Sequence, residues 1–261
     1  MNVLILLLPI IAAPNLEVLS KETIYSNSFT NPRNPQSSLT LTSDNIDACF
    51  GSGFSIARLE FEKFELEIDI EGGVWITLDH LESTSFALKT EDFLFAIPLA
   101  FRINNFSAAL KYNHISAHLG DGAEKRERIT YSRDFISAQV TVDFLYDLFI
   151  STLYVSGGYA FIIYPEELLD KSKRFYFGVG NRILYLSHLV SPYAAFDITF
   201  NSDMNSLDIS TQVGIAIIRS HKIYAAIYTY SGSDRRGQRL GDKLSQAGFT
   251  IMFEPSFQTS L

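Results

Sequence analysis

Cysteine is almost missing: Cys49 is the only one among 261 residues. No intrachain disulfide can form, no thiolate-based metal site exists, and Cys49 is expected to be an inert buried thiol. Long apolar runs are missing too. The longest, Val3–Ala13, covers about eleven residues, whereas a spanning helix needs roughly 20. Positive charge is scarce, with 21 Lys and Arg against 29 Asp and Glu and a net charge of −8. A phosphate-binding surface needs a concentrated basic face, so nucleic acid is not an expected partner. The basic clusters Lys125-Arg126-Glu127-Arg128 and Arg235-Arg236 sit among polar or acidic residues and read as solvated loops. Attraction to anionic lipid headgroups is the lesser reading of them. Disorder is excluded as well, because 47% of the chain is hydrophobic and 13% aromatic.

The apolar N-terminal run resembles the hydrophobic region of a secretory leader, ending in the small residues Ala12-Ala13. Two details depart from a standard leader: no Lys or Arg precedes the run, and Pro14 follows Ala13. Either the true start lies upstream or cleavage falls elsewhere. The expected organisation is a leader at 1–13, a periplasmic N-terminal segment at 14–35 and one β domain at 36–261.

What the chain has in abundance is alternation with period 2, the mark of strands with one apolar face. Phe64, Leu66, Ile68, Ile70, Val74, Ile76 and Leu78 share one face; Glu65, Glu67, Asp69, Glu71, Trp75, Thr77 and Asp79 share the other. The register runs unbroken through Gly72-Gly73, which predicts one long strand with a bend rather than a hairpin. Strands in soluble proteins usually run about five or six residues, so this length points to a barrel. The pattern recurs downstream, for example Ile136, Ala138, Val140, Val142 and Phe144 against Ser137, Gln139, Thr141 and Asp143.

The alternation predicts strands at 36–43, 50–60, 64–79, 92–102, 105–118, 128–144, 149–163, 174–187, 192–200, 206–218, 222–231 and 244–254. That is an even number, about twelve, as single-chain bacterial barrels require. Links at 61–63, 103–104, 145–148, 188–191 and 219–221 are short. Those at 80–91, 119–127, 164–173 and 232–243 are longer, and 201–205 breaks the contrast. Short periplasmic turns with longer outer loops fit a closed antiparallel transmembrane β-barrel in an outer membrane, its apolar face toward lipid. Tyr112, Tyr131, Tyr164, Tyr185, Tyr224 and Tyr230 near strand ends are candidates for interfacial girdles. A soluble β-sandwich or a lipocalin-like barrel would show the same alternation. Strand length, strand number and the exported N-terminus weigh against both.

An inward acidic stripe at Glu65, Glu67, Asp69 and Glu71 needs partners or water. Arg58, Arg102, Lys111, Arg133 and Arg182 are the strand cations available for it. Twelve strands enclose less than the 16–18 of water-filled porins, so a lumen crossed by charge networks is not expected to serve as a general pore.

One segment carries candidate chemistry: Lys111-Tyr112-Asn113-His114-Ile115-Ser116-Ala117-His118-Leu119-Gly120-Asp121. His114, Ser116 and His118 share the lipid-facing parity at the outer end of a strand. A His beside a Ser outlines a base and a nucleophile, with an ester of a membrane lipid as the natural substrate there. His118, Asp121 and Asn113 are the accompanying binding candidates. A metal site on His114, His118 and Asp121 is disfavoured, since the two histidines lie roughly 13 Å apart on an extended strand. The bland reading is a rim row that binds headgroups or closes hydrogen bonds.

His114-x-Ser116, preceded by Asn113, resembles the active-site motif of outer-membrane phospholipase A, and lipid A deacylases of the outer membrane show a similar His-x-Ser. The resemblance implies His114 as base and Ser116 as nucleophile, with an Asn or acid from a neighbouring element orienting the histidine. Ala117-His118 stand where the phospholipase pattern has Asn-Gly, and among Thr130, Ser132 and Asp134 on the adjacent strand none is an obvious third member.

Over residues 30–165 the chain resembles domain-of-unknown-function family 1207 of bacterial outer-membrane barrels. The matching stretches are Asn31-Pro32-Arg33-Asn34-Pro35, Ile68-Asp69-Ile70-Glu71-Gly72-Gly73-Val74-Trp75, Tyr112–Asp121 and Arg128-Ile129-Thr130-Tyr131-Ser132-Arg133-Asp134. The family pattern reads His-x-Ser-Ser-His-Leu-Gly-Asp-Glu, from which Ala117 and Gly122 depart. The resemblance implies fold and location but no activity. The expectation is a Gram-negative outer-membrane barrel with a structural or surface-interaction role, and a lipid-ester hydrolase as the alternative. No cofactor or metal is expected. Outer-membrane lipids (lipopolysaccharide and phospholipid) and the barrel-assembly machinery are the expected partners.

Overall fold

The computed structural model describes residues 14–20, 23–79, 87–120, 131–164, 174–187, 190–202, 205–218, 222–234, 236 and 242–254. The leader expected at 1–13, the basic cluster at 125–128, Arg235 and Asp121 lie outside them. The strands are β1 (Asn15–Val18), β2 (Ser37–Thr42), β3 (Asn45–Glu60), β4 (Glu65–Asp79), β5 (Ala87–Ile103), β6 (Phe106–Leu119) and β7 (Tyr131–Tyr146). They continue as β8 (Phe149–Tyr164), β9 (Phe175–Tyr185), β10 (Val190–Asn201), β11 (Ser206–Ile218), β12 (Lys222–Ser233) and β13 (Lys243–Glu254).

From β3 to β13 each strand pairs antiparallel with the next. β2 closes the cylinder. One of its edges runs from Ser37 opposite Phe253 to Thr42 opposite Gly248, and the other from Ser38 opposite Cys49 to Leu41 opposite Ile46. The twelve strands β2–β13 therefore form a closed antiparallel barrel with one extra strand, β1, on β3. Closure leaves no wall strand with a wholly open edge.

The long β4 is real, and its register against β3 passes straight through Gly72 and Gly73. Two wall segments differ from expectation. β3 begins at Asn45, so the link before it is only residues 43–44, and β5 begins at Ala87 rather than at 92. In both places the alternation continues, but polar residues on the inward face and near the rim disguise it as loop.

The outer wall is apolar, with Leu66, Ile68, Leu99, Val213 and Ile227 exposed, while Glu67, Asp69, Glu71, Asp197, Asp208 and Gln212 are buried inside. The girdle expectation needs correcting. Tyr112 and Tyr164 do lie on the outer face, but Tyr131, Tyr224 and Tyr230 are buried inside the barrel, because strand parity and not nearness to a strand end decides the face.

The larger correction concerns residues 14–35, expected to lie outside the barrel. Residues 15–18 form β1 on the wall, pairing Asn15 with Glu60 through Val18 with Ala57. Leu19 N then bonds Ile56 O at 3.1 Å, and Ser55 N bonds Ser20 O at 2.9 Å. β1 and β2 thus lie on the same edge of β3, β1 near its end and β2 near its start. Between these two anchors, residues 23–36 pass through the interior, with Ile24, Tyr25, Phe29, Thr30 and Asn34 all buried. The physical reason is that buried carboxylates need hydrogen-bond partners, and this segment brings donors to Glu67, Glu71, Asp92 and Asp197.

Candidate functional site: a polar row outside and a filled lumen

The expected row forms on the outer wall. His114, Ser116 and His118 of β6 face outward near the end that carries the link from 120 to 130, opposite Phe95, Phe93 and Glu91 of β5. On the other side His114 faces Asp134 and Ser116 faces Ser132 of β7. Side chains on one face of paired strands sit close enough to bond directly. His114 Nδ1 lies 2.6 Å from Asp134 Oδ1, and the Tyr112 hydroxyl donates to the same oxygen at 3.1 Å. Ser116 Oγ lies 2.8 Å from His118 Nε2. His118 also meets the Phe93 ring edge-on, with centroids 5.8 Å apart.

The histidine within hydrogen-bond reach of Ser116 Oγ is therefore His118, while the expected partner His114 lies against Asp134. His114 is bound instead to the carboxylate, so the row consists of two pairs, Asp134–His114 and Ser116–His118. Asn113 does not join them. It faces the lumen, where its amide donates to Ser137 Oγ at 2.9 Å. The carboxylate that orients a histidine was in the sequence as Asp134. Its role follows from the hairpin register, which places it directly across from His114.

Inside, the N-terminal segment meets the acidic stripe. Ile24 N donates to Glu67 Oε1 at 2.9 Å, and the other Glu67 oxygen accepts Arg58 Nε at 2.7 Å. Glu71 accepts the Tyr25 hydroxyl, Asn27 Nδ2 at 2.7 Å and Lys111 Nζ at 3.1 Å. Lys111 in turn donates to Asn27 and lies over the Tyr25 ring, 4.4 Å from its centroid. Of the five cations named for the stripe, Arg58 and Lys111 serve it; Arg182 pairs with Glu254 at 3.7 Å.

The second half of the segment is held differently. Phe29 packs edge-on against Tyr193 and Tyr224 at 5.5 and 4.9 Å, with the Arg182 guanidinium 4.8 Å from its ring centre. Ser210 Oγ donates to Thr30 O at 2.8 Å, Arg33 forms a 2.6 Å ion pair with Asp92, and Asn31 donates to Asp197 at 3.5 Å. Cys49 is buried against the Asn34 carbonyl, 3.9 Å away. Pro35 fits against the paired glycines Gly51 and Gly73; a Cβ at Gly51 would come within 2.7 Å of the Pro35 carbonyl carbon. Those strand glycines make room for the segment's backbone.

A family model described as a protein of unknown function, DUF1207, matches residues 6–254. The chain belongs to this family. No curated protein matches this DUF1207 chain in sequence. Among solved structures, the β-domain of the Bordetella autotransporter BrkA is 12% identical with a TM-score of 0.48, covering 86% of this chain and 100% of its own. The transport unit of the autotransporter AIDA-I from Escherichia coli is 12% identical with a TM-score of 0.45, covering 91% and 95%. LpxR from Salmonella typhimurium is 9% identical with a TM-score of 0.38, covering 77% and 89%. The closure of the DUF1207 barrel stands on its own strand pairings.

Proposed function

We propose that this protein is an integral outer-membrane barrel that does not conduct and that serves a structural or surface-interaction role. The observation that carries this reading is the interior segment at 23–36, anchored by β1 before it and β2 after it and bonded to the lumen wall on several sides. A plug tied into the wall at both ends cannot swing aside without unpairing a strand. The apolar outer face suits contact with lipid, its long-loop end with the exterior, and its insertion with the barrel-assembly machinery. Extracted from membranes in detergent, the protein is expected to migrate faster on gels before heating than after. A water-soluble monomer without detergent contradicts the reading.

A second reading rests on the 2.8 Å contact between Ser116 Oγ and His118 Nε2 on the lipid-facing wall. That is hydrogen-bond reach for a base activating a nucleophile, and an acyl ester of a membrane lipid is the substrate that reaches this face. His118 acts as the base in this version, and Asp134–His114 binds the headgroup beside it. Cells expressing wild type are expected to accumulate lyso-phospholipid or deacylated lipid A relative to Ser116→Ala. Identical lipid patterns remove the hydrolase reading.

A further inference from the structure

A cavity of about 110 Å³ lies between the second half of the interior segment, β2–β4 and β11–β13. A single water needs about 10–15 Å³ of such space, so one sugar-sized ring fits. Its charges are already spent on each other. Arg236 grips Asp234 through two bonds of 2.9 and 2.7 Å and lies 3.5 Å from Asp47, and Arg33 holds Asp92. Neither an anion nor a cation finds a surplus of opposite charge here.

What the cavity offers instead is neutral polarity beside aromatic walls. Trp75, Tyr228 and Tyr230 line it together with the amides of Asn34, Gln212 and Gln246. Two of these groups, Trp75 Nε1 and Gln246 Oε1, are buried without a hydrogen-bond partner among the described residues. One is a donor and one an acceptor, and buried polar groups are seldom left so. A hydroxyl supplies both complements. A ring that carries hydroxyls on its edge and C–H groups on its faces matches amides and aromatic walls together.

We infer that this cavity is a binding site for a neutral saccharide, one ring in size. Trp75 is the only tryptophan in the chain, so its emission reports the cavity directly. The full chain, purified in an amine-oxide detergent that carries no sugar, is titrated with methyl glycosides of glucose, galactose, mannose and N-acetylglucosamine, and separately with inorganic phosphate and choline. At least one glycoside is expected to change the Trp75 emission saturably, with phosphate and choline silent. Gln246→Met weakens that binding about tenfold, and Thr229→Val on the outer wall leaves it unchanged. If Gln246→Met loses the heat-dependent mobility shift, Gln212→Met takes its place with the same expectation. No saturable response to any glycoside, tighter binding of phosphate or choline, or wild-type affinity in a folded cavity variant overturns the proposal.

Discussion

Strand β6 has two faces that solve opposite problems with similar residues. Inward, Lys111 and Asn113 are buried, and each is satisfied by a group from elsewhere: Lys111 by Asn27 and Glu71, Asn113 by Ser137. Outward, Tyr112, His114, Ser116 and His118 bond within their own row or to Asp134 on the next strand. On the inner face Lys111 depends on a segment more than eighty residues away in sequence, whereas Asn113 and the outer polar pairs find their hydrogen-bond partners within the β6–β7 hairpin. Polar groups inside a closed barrel are structural obligations; polar groups at its outer rim are free to serve another purpose.

That contrast can be broken or sharpened by mutation, with the largest effect inside. Lys111→Met leaves Glu71 buried without its cation, which costs about 3–5 kcal/mol when one partner of a buried pair is removed. Urea unfolding in detergent, followed by Trp75 emission, measures it; a loss below about 1 kcal/mol would put the lumen pair on the same footing as a surface bridge. Gly51→Val comes next. Its Cβ collides with Pro35, an overpacking cost of about 1–3 kcal/mol. Displacing Pro35 also uncovers Cys49 beneath Asn34, so maleimide labelling of this sole cysteine is expected to accelerate. Unchanged labelling would mean the segment does not seat on the glycine pair. The smallest effect belongs to the outer row. Asp134→Ala frees His114 and Tyr112 where water and headgroups reach them, at a cost of about 0–1 kcal/mol in the same unfolding assay. A loss as large as that of Lys111→Met would make the row a structural element.

The wall was legible because its signal is local. In β4 every second residue from Leu66 to Leu78 reports the outer face except at Gly72, and the same parity places His114, Ser116 and His118 outside. The plug was not legible by that route, since Ile24–Gln36 has no period and its partners are single inward positions on strands from β3 around to β13. Signals did exist. Prolines in Asn31-Pro32-Arg33-Asn34-Pro35, glycines inside the otherwise strand-like β3 and β4, and an inward row of carboxylates with too few cations beside it all mark a backbone that must approach closely and bring donors. The pairing of Ser116 with His118 was hidden for a different reason. Both histidines are two residues from the serine, and only the register with Asp134, which claims His114, separates them.

Residues 23–36 of the chain itself occupy the barrel interior. Planar-bilayer conductance of the full chain, compared with a variant in which residues 23–35 are replaced by a flexible Gly-Ser linker and which keeps its heat-dependent gel shift, tests it most directly. A silent wild type and discrete open steps from the variant are the expected result. Open-pore currents from the wild type, or a folded variant that stays equally silent, would contradict it.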